Sequence, residues 1–457
     1  MTFKKSAPQK ILLNPKTFFE RLKKRRVSWG IITMYAFASL FLLVVASIGA
    51  VYLVYLRTLP PISTIEKLTF PESSVIRDRN GNELYSIFSG QEGRRTYVDI
   101  SAISKPILEA IVATEDKTFQ ENGGVDFKGL VRSGWNYITG KTAQIQGTST
   151  ISQQLIKNTF LSNERSIDRK AKEIYLSYEL NTKYSKDKIL ELYLNKISFG
   201  NNASGIEEAA KTYFGKSAKD VGILGSTILA SLPKGPTYYS PYSHRDRLMG
   251  YLYVYKDGKT DEKITLGSPE SMKDFRPLVD GFKKFVGGLQ IDRIDDSDAK
   301  ICGLDQSKLK ASYSIDKQGC ARLAYKDILQ LLNDIQLAPS ATQSVVSAAA
   351  PVITQTGSRA PQNARTPVVG SGATAQPAKA ITDLTGYVIE YNTGRKDFVA
   401  SRLLEDGKIT PEQFKSVVID GLEFQFTRNA QSIKYPHFVA YVQDYLTKKY
   451  GDDFFDQ

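Results

Sequence analysis

Cysteine and histidine are the scarcest chemistry in this chain: two of each in 457 residues. Cys302, Cys320, His244 and His437 are too few and too scattered for a zinc site or a disulfide-built scaffold. They leave open one disulfide between Cys302 and Cys320, or two free thiols. Charge is missing altogether from Trp29 to Leu56. That run is long enough to cross a hydrocarbon core of about 30 Å. It is too long for the apolar part of a cleaved signal, about 7–15 residues, and no clear small-residue cleavage site follows it. Acids are nearly missing before it: the first 26 residues hold nine Lys/Arg and only Glu20 in opposition, so most of the net +13 sits there. Basic flanks stay in the cytoplasm, which puts the rest of the chain, after Arg57, outside. An anchor accounts for the basic tail, so no nucleic-acid partner is called for.

Several segments follow. Residues 1–28 read as a basic cytoplasmic tail, 29–56 as the transmembrane helix and 57–102 as a connector. Leu59-Pro60-Pro61 stiffens the connector, and Asn80-Gly81 joins two short strands in a hairpin. From Ile103 the apolar period becomes helical, with Ile107, Leu108, Ile111 and Val112 on one stripe. Helical stretches continue over 127–138, 150–161, 166–182, 186–197, 206–214 and 220–232. Gly215 is placed as a C-cap and Pro233 as a stop. Residues 103–249 thus form a mainly helical domain. Residues 250–337 mix a hairpin signal at Asp257-Gly258 with one helical run near 325–335. Residues 338–381 are an Ala/Pro/Ser/Thr-rich linker, and 382–457 return to helical pattern at 396–404, 411–418 and 438–449. No internal repeat is found.

Three clusters carry chemistry. Glu115, with Asp116 and Phe119 after it, ends an amphipathic helix beside the turn Asn122-Gly123-Gly124, a half-sheltered place that suits a general base. Thr148 or Ser149 is positioned to cap a helix from Thr150, whose positive end suits a phosphate; Gln154 and Lys157 share a face of that helix. Arg169, Lys170 and Glu173 lie on one helix face. At the surface such a pair contributes roughly 0.3–0.5 kcal/mol. At a site, two cations hold a diphosphate and the carboxylate positions them or a metal ion.

In this order and with these fillers, the clusters resemble the peptidoglycan glycosyltransferase family, the transglycosylase module of class A penicillin-binding proteins. Glu115-Asp116-Lys117-Thr118-Phe119 resembles the first family motif, and Gly147 to Gln154, continuing to Lys157-Asn158, the second. Arg169-Lys170-Ala171-Lys172-Glu173 resembles the third and Lys186 to Asn195 the fourth. A fifth is found only at Arg395-Lys396-Asp397-Phe398-Val399, so residues from about 250 to 390 read as an insertion. Asn122 stands where the family usually has His, and Ser152 where it usually has Thr. Family members often continue into a transpeptidase domain. Ser185/Lys188, Ser307/Lys310 and Ser314/Lys317 have SxxK spacing, but no Lys-Thr-Gly partner occurs. A monofunctional enzyme and a fragment of a longer one both fit.

The resemblance implies a mainly α, lysozyme-like glycosyltransferase domain after one N-terminal transmembrane helix, with an inserted small α/β region and a flexible linker. It implies polymerisation of lipid II into glycan strands with inversion and release of undecaprenyl diphosphate, at the bacterial plasma membrane. Glu115 is then the base, and Glu173 the second essential acid and a ligand for Mg²⁺ or another divalent cation. Asp116, Phe119, Ser149, Thr150, Gln153, Gln154, Lys157, Asn158, Arg165, Arg169 and Lys170 are expected to bind substrate or diphosphate. Partners implied are lipid II, the undecaprenyl-linked strand, the membrane and other wall-synthesis proteins. Two other functions were weighed: a lytic glycosidase on a similar fold, using paired carboxylates, and a non-catalytic lipid II-binding scaffold.

Overall fold

The computed structural model describes residues 29–54, 59–65, 74–81, 83–87, 93–141, 149–161, 164, 166–257, 259, 262–338, 384, 386–427 and 435–450. The basic tail, Gly147, Thr148, Arg165, Gly258 and nearly all of the proposed linker lie outside these. The chain divides into two units, Met1–Thr64 and Ile65–Gln457. In the first, helix α1 (Trp29–Val54) is apolar on every side, and its Gly30–Ser47 stretch is long and apolar enough to cross a membrane.

The second unit opens with the expected hairpin, β1 (Ser74–Arg77) against β2 (Glu83–Ile87). Helices α2 (Lys105–Glu115), α3 (Phe127–Ile138), α4 (Ile151–Phe160), α5 (Ile167–Lys183) and α6 (Lys186–Lys196) follow. After the short pair β3 (Ser198–Gly200) and β4 (Ala203–Ser204) come α7 (Ile206–Phe214), α8 (Ile223–Ser231) and α9 (Arg245–Met249). The domain is mainly helical, as the periodicity implied. Gly215 is the C-cap of α7, at φ 64°. The core helix is α6, which buries Ile189, Leu190, Leu192, Tyr193 and Leu194. Its buried Glu191 accepts from the Tyr97 hydroxyl (2.6 Å) and the Ile100 amide (3.0 Å), tying the connector to the domain.

Residues 251–392 leave and return through one antiparallel pair. Strand β5 (Tyr251–Lys256) pairs with β11 (Tyr387–Asn392) in the register Tyr251↔Asn392 to Lys256↔Tyr387. With β6 (Ile264–Leu266) and β10 (Gln336–Leu337) they form a sheet ordered β10-β11-β5-β6. A second sheet runs β7 (Gln290–Arg293), β8 (Asp298–Cys302), β9 (Cys320–Ala324). Cys302 and Cys320 are register partners and are disulfide-bonded, which decides between the two states the composition left open. Helix α11 (Ile328–Asp334) falls within the one helical run read there, but α10 (Arg276–Gly288) was not anticipated. Pro277 starts α10, and Leu278, Val279, Phe282 and Val286 are buried on its inner side. The closing Gly287-Gly288 masks it in the sequence.

Beyond the insertion, α12 (Arg395–Glu405) packs against both α2 and α8, and α13 (Pro411–Glu423) packs on α12. A C-terminal helix, α14, spans Pro436–Tyr450. The segment from Arg395 therefore lies against the helix that carries Glu115, although more than a hundred residues separate it in sequence from α9.

One close approach fixes the α2–α3 turn. Gly124 has φ +96°, and a Cβ there would meet the Ser177 carbonyl oxygen at 2.4 Å. Gly124→Ala should cost at least about 1–3 kcal/mol from the strained conformation alone, read as a drop in the denaturation midpoint.

Candidate active site

Helix α2 starts with Pro106 in its first turn and buries Ile107, Ala110, Ile111 and Ala113. It ends when Asp116 turns out of helical conformation (φ −158°). That leaves Glu115 half-buried at the helix end. Its Oε2 accepts a hydrogen bond from Gln154 Nε2 on α4 (2.8 Å), and Gln154 Oε1 accepts from the Tyr193 hydroxyl on α6 (3.1 Å). Tyr193 is fully buried, and burial raises its pKa well above the ordinary value, with the Glu115 and Asp116 charges adding to the effect. The phenol therefore stays protonated and keeps a hydrogen to donate to Gln154 Oε1, which leaves the amide nitrogen for Glu115.

Gln154 also lines a cleft of about 310 Å³ with Ser149, Gln153, Lys157, Arg169, Lys170 and Glu173. Lys170 Nζ is bonded to Glu173 and donates to Ser149 Oγ at 3.2 Å. The Glu173 side chain is 4% exposed, so Lys170 covers it from solvent. Three cations against one carboxylate leave the cleft positive. Such a cleft suits the oxygens of a phosphate or diphosphate. The structure thus gathers Glu115, Ser149, Gln153, Gln154, Lys157, Arg169, Lys170 and Glu173 into one place.

Other predicted residues have structural roles. Asp116 is buried and accepts from the Ile151 amide (3.1 Å), from Asn122 Nδ2 (3.0 Å) and from the Thr118 hydroxyl (3.2 Å). Burial raises its pKa, while these hydrogen bonds and the Lys186 charge oppose the rise. Phe119 is fully buried, with Lys186 Nζ 4.7 Å from its ring centroid. Asn158 is exposed and outside the cleft lining. Asn122 bridges the first motif: it donates to Asp116 and Thr118, and its Oδ1 accepts from the Gly124 amide (3.0 Å). The neutral Asn122 amide makes these bonds without a titrating ring.

The start of α4 also differs from expectation. Thr150, not Thr148 or Ser149, is the N-cap, and Gln153 closes a capping box with it. Thr at N-cap and Gln at N3 satisfy each other's backbone groups, which sets the boundary one residue later. With the Ile151 amide on Asp116, the Gln153 amide on Thr150 Oγ and the Gln154 amide on the Thr150 carbonyl, the helix end has little left for a phosphate. Cationic side chains, rather than the helix dipole, give the cleft its charge.

Arg395 starts α12, the helix that packs against α2, which ends in Glu115. Its guanidinium lies 4.3 Å from the Phe398 ring centroid and 5.9 Å from that of Tyr239, and burial holds its pKa below the ordinary value. Behind it, Lys396 and Asp397 form a fully buried pair at 2.5 Å. Lys117, two residues past Glu115, pairs with Glu405 (3.0 Å) and Asp406 (2.6 Å) at the far end of α12. Lys117 and Tyr193 lie within the first and fourth motifs, but their partners depend on which helix lies opposite and are not marked in the sequence.

A helical domain with one carboxylate held beside a cationic cleft is the frame of an enzyme domain acting on an anionic ligand. The family pattern for Transglycosylase matches residues 80–254. Residues 80–254 are accordingly a transglycosylase domain, homologous to the glycosyltransferase modules of class A penicillin-binding proteins. Penicillin-binding protein 1A of Clostridium botulinum is 36% identical over 238 residues, 51% of this chain and 28% of that protein. Penicillin-binding protein 1F of Bacillus subtilis is 34% identical over 274 residues, 56% of this chain and 38% of that protein. Penicillin-binding protein 1A of Aquifex aeolicus is 40% identical over 194 residues, 42% of this chain and 26% of that protein. The chain therefore spans between about a quarter and two-fifths of the length of these relatives.

Proposed function

We propose that this protein polymerises lipid II into glycan strands. The observation that carries the reading is Gln154, which touches Glu115 on one side and lines the Lys157–Arg169–Lys170 cleft on the other. A base and a leaving-group site are thereby adjacent. Glu115 takes the proton from the acceptor 4-hydroxyl, whose oxygen attacks the anomeric carbon of the donor. The bond from that carbon to the diphosphate breaks, with inversion, and undecaprenyl diphosphate leaves. Lys157, Arg169 and Lys170 balance the charge that develops on the leaving group. Arg165, expected to share this role, lies outside the described residues.

The Mg²⁺ expected at Glu173 finds a poor donor set. Among the described residues no group of three or more His, Cys, Asp or Glu could hold a metal ion, and Glu173 is already bonded to Lys170. No step is assigned to the ion.

Two features support work at a membrane surface. Helix α1 has the length of an anchor, and the basic tail before it favours a cytoplasmic N-terminus. Helix α3 exposes Phe127, Val131, Trp135 and Ile138, each at 61% or more, at intervals of three or four residues. Such a stripe suits the interfacial layer where lipid-linked substrates present their head groups.

The test is to give the purified full chain lipid II and resolve the products on a gel. The expected result is a ladder of glycan polymer. Binding of lipid II without polymer would favour the scaffold, and release of fragments from finished peptidoglycan would favour the lytic reading.

A further inference from the structure

The insertion has no counterpart in the chemistry described above, yet its last strand runs directly into Arg395. Only Thr393 and Gly394 separate β11 from α12. The Glu390 side chain on β11 is 4% exposed and is held from three directions. Lys310 Nζ lies 2.9 Å and Lys263 Nζ 3.1 Å from its Oε2, and the Tyr255 hydroxyl donates to its Oε1. Lys310 belongs to the loop 303–319, which the Cys302–Cys320 disulfide closes at its base. The same loop reaches the end of α11: the Lys310 amide donates to the Asp334 carbonyl (2.8 Å) and the Tyr313 hydroxyl to Asp334 Oδ2 (2.6 Å). One residue earlier, Asn333 Oδ1 accepts from the Thr393 amide (2.8 Å).

We infer that the inserted domain positions α12 against the helix that carries Glu115, with Lys310 and Asn333 as positioning residues that fix β11 and the step from it into α12. The inference rests on the glycosyltransferase reading for its kinetic consequence but not for its structural one. Two hydrogen-bonded routes run from the disulfide-closed loop. One passes through Glu390 to the strand, the other through Asn333 to Thr393. A buried carboxylate with its partners satisfied has one low-energy arrangement, so the strand it sits on has one position. The next rigid element, α12, starts two residues later and inherits that position. A ligand or partner that displaced the loop 303–319 would act on the site through the same route.

The test compares the full-length chain with Lys310→Met, Lys310→Arg and Asn333→Ala, under oxidising conditions. Backbone amide exchange should rise at residues 390–396 in Lys310→Met and Asn333→Ala, while α4 to α6 keep wild-type protection. In the lipid II assay kcat should fall roughly 3- to 30-fold in those two variants with KM little changed, the size of a coupling carried through packed elements. Lys310→Arg, which keeps the charge, should behave as wild type in both measurements. Increased exchange confined to 303–338, with 390–396 unchanged, would overturn the inference, as would increased exchange at 390–396 together with an unaltered kcat. A wild type that makes no polymer would sink the glycosyltransferase reading, and the exchange measurement alone would then decide this one.

Discussion

Replacing Glu115 by Gln should leave a folded protein that makes no detectable glycan polymer. Gln has the same shape and keeps an oxygen to accept from Gln154, so the α2–α4 contact survives. What it lacks is the negative charge and the basicity needed to take a proton from the acceptor hydroxyl. Positioned general bases contribute typically about 10²–10⁴-fold, and the loss should fall in that range or below the detection limit. The denaturation midpoint serves as the control. Polymer at an undiminished rate from a folded Glu115→Gln protein would remove Glu115 from the mechanism.

The second large effect is at Glu173, where two arguments give opposite signs. By net charge, Glu173→Gln makes the cleft more positive and should favour the leaving diphosphate. By position, the mutation frees Lys170, which Glu173 and Ser149 now hold over the cleft. Preorganised charge matters more than total charge when charge develops in a transition state, because a mobile ammonium must be re-ordered in every turnover. Losing one such positioned group costs about 10²–10³ in kcat. Glu173→Gln should therefore be slower by roughly that factor, with diphosphate binding in the ground state unchanged or tighter. A faster enzyme would show that net charge governs the site.

Much of this site could be read from the chain because it is local. The α2 stripe Ile107, Ile111 and the α4 face Ile151, Leu155 have helical spacing, and the acids and cations fall where those faces meet solvent. Even so, spacing gives only what lies on one element. It placed Gln154 and Glu115 on separate helices and said nothing of the bond between them, or of Tyr193 behind it. The resemblance places Asp116 and Thr150 at the ligand. The fold uses them to close the start of α4. Lys396 illustrates the same limit in reverse. Lysine is almost never fully buried unless paired, yet Lys396 is fully buried against Asp397 on α12, the helix on which α13 packs. The insertion was legible as a break in the motif order but not as a structure. Strand β5 finds its partner β11 more than a hundred residues later, and the pairing of Cys302 with Cys320 depends on β8–β9 register. Neither is encoded in a local pattern.

The β5–β11 pair has a consequence for how such a chain arises. Where the two strands leave the helical domain, Gly250 passes so close to Asn392 and Gly394 that a Cβ would meet the Asn392 carbonyl oxygen at 2.6 Å and the Gly394 amide nitrogen at 2.8 Å. The two crossing points are one backbone contact apart. A gene segment encoding the residues between them can therefore enter or leave at a single codon junction without lengthening the path between α9 and α12. Beyond that junction the inserted segment also bonds α13, where Glu423 pairs with Arg276 (2.5 Å) and Lys283 (2.9 Å). The segment could be lost, exchanged or transplanted between relatives as one cassette, its two ends already joined.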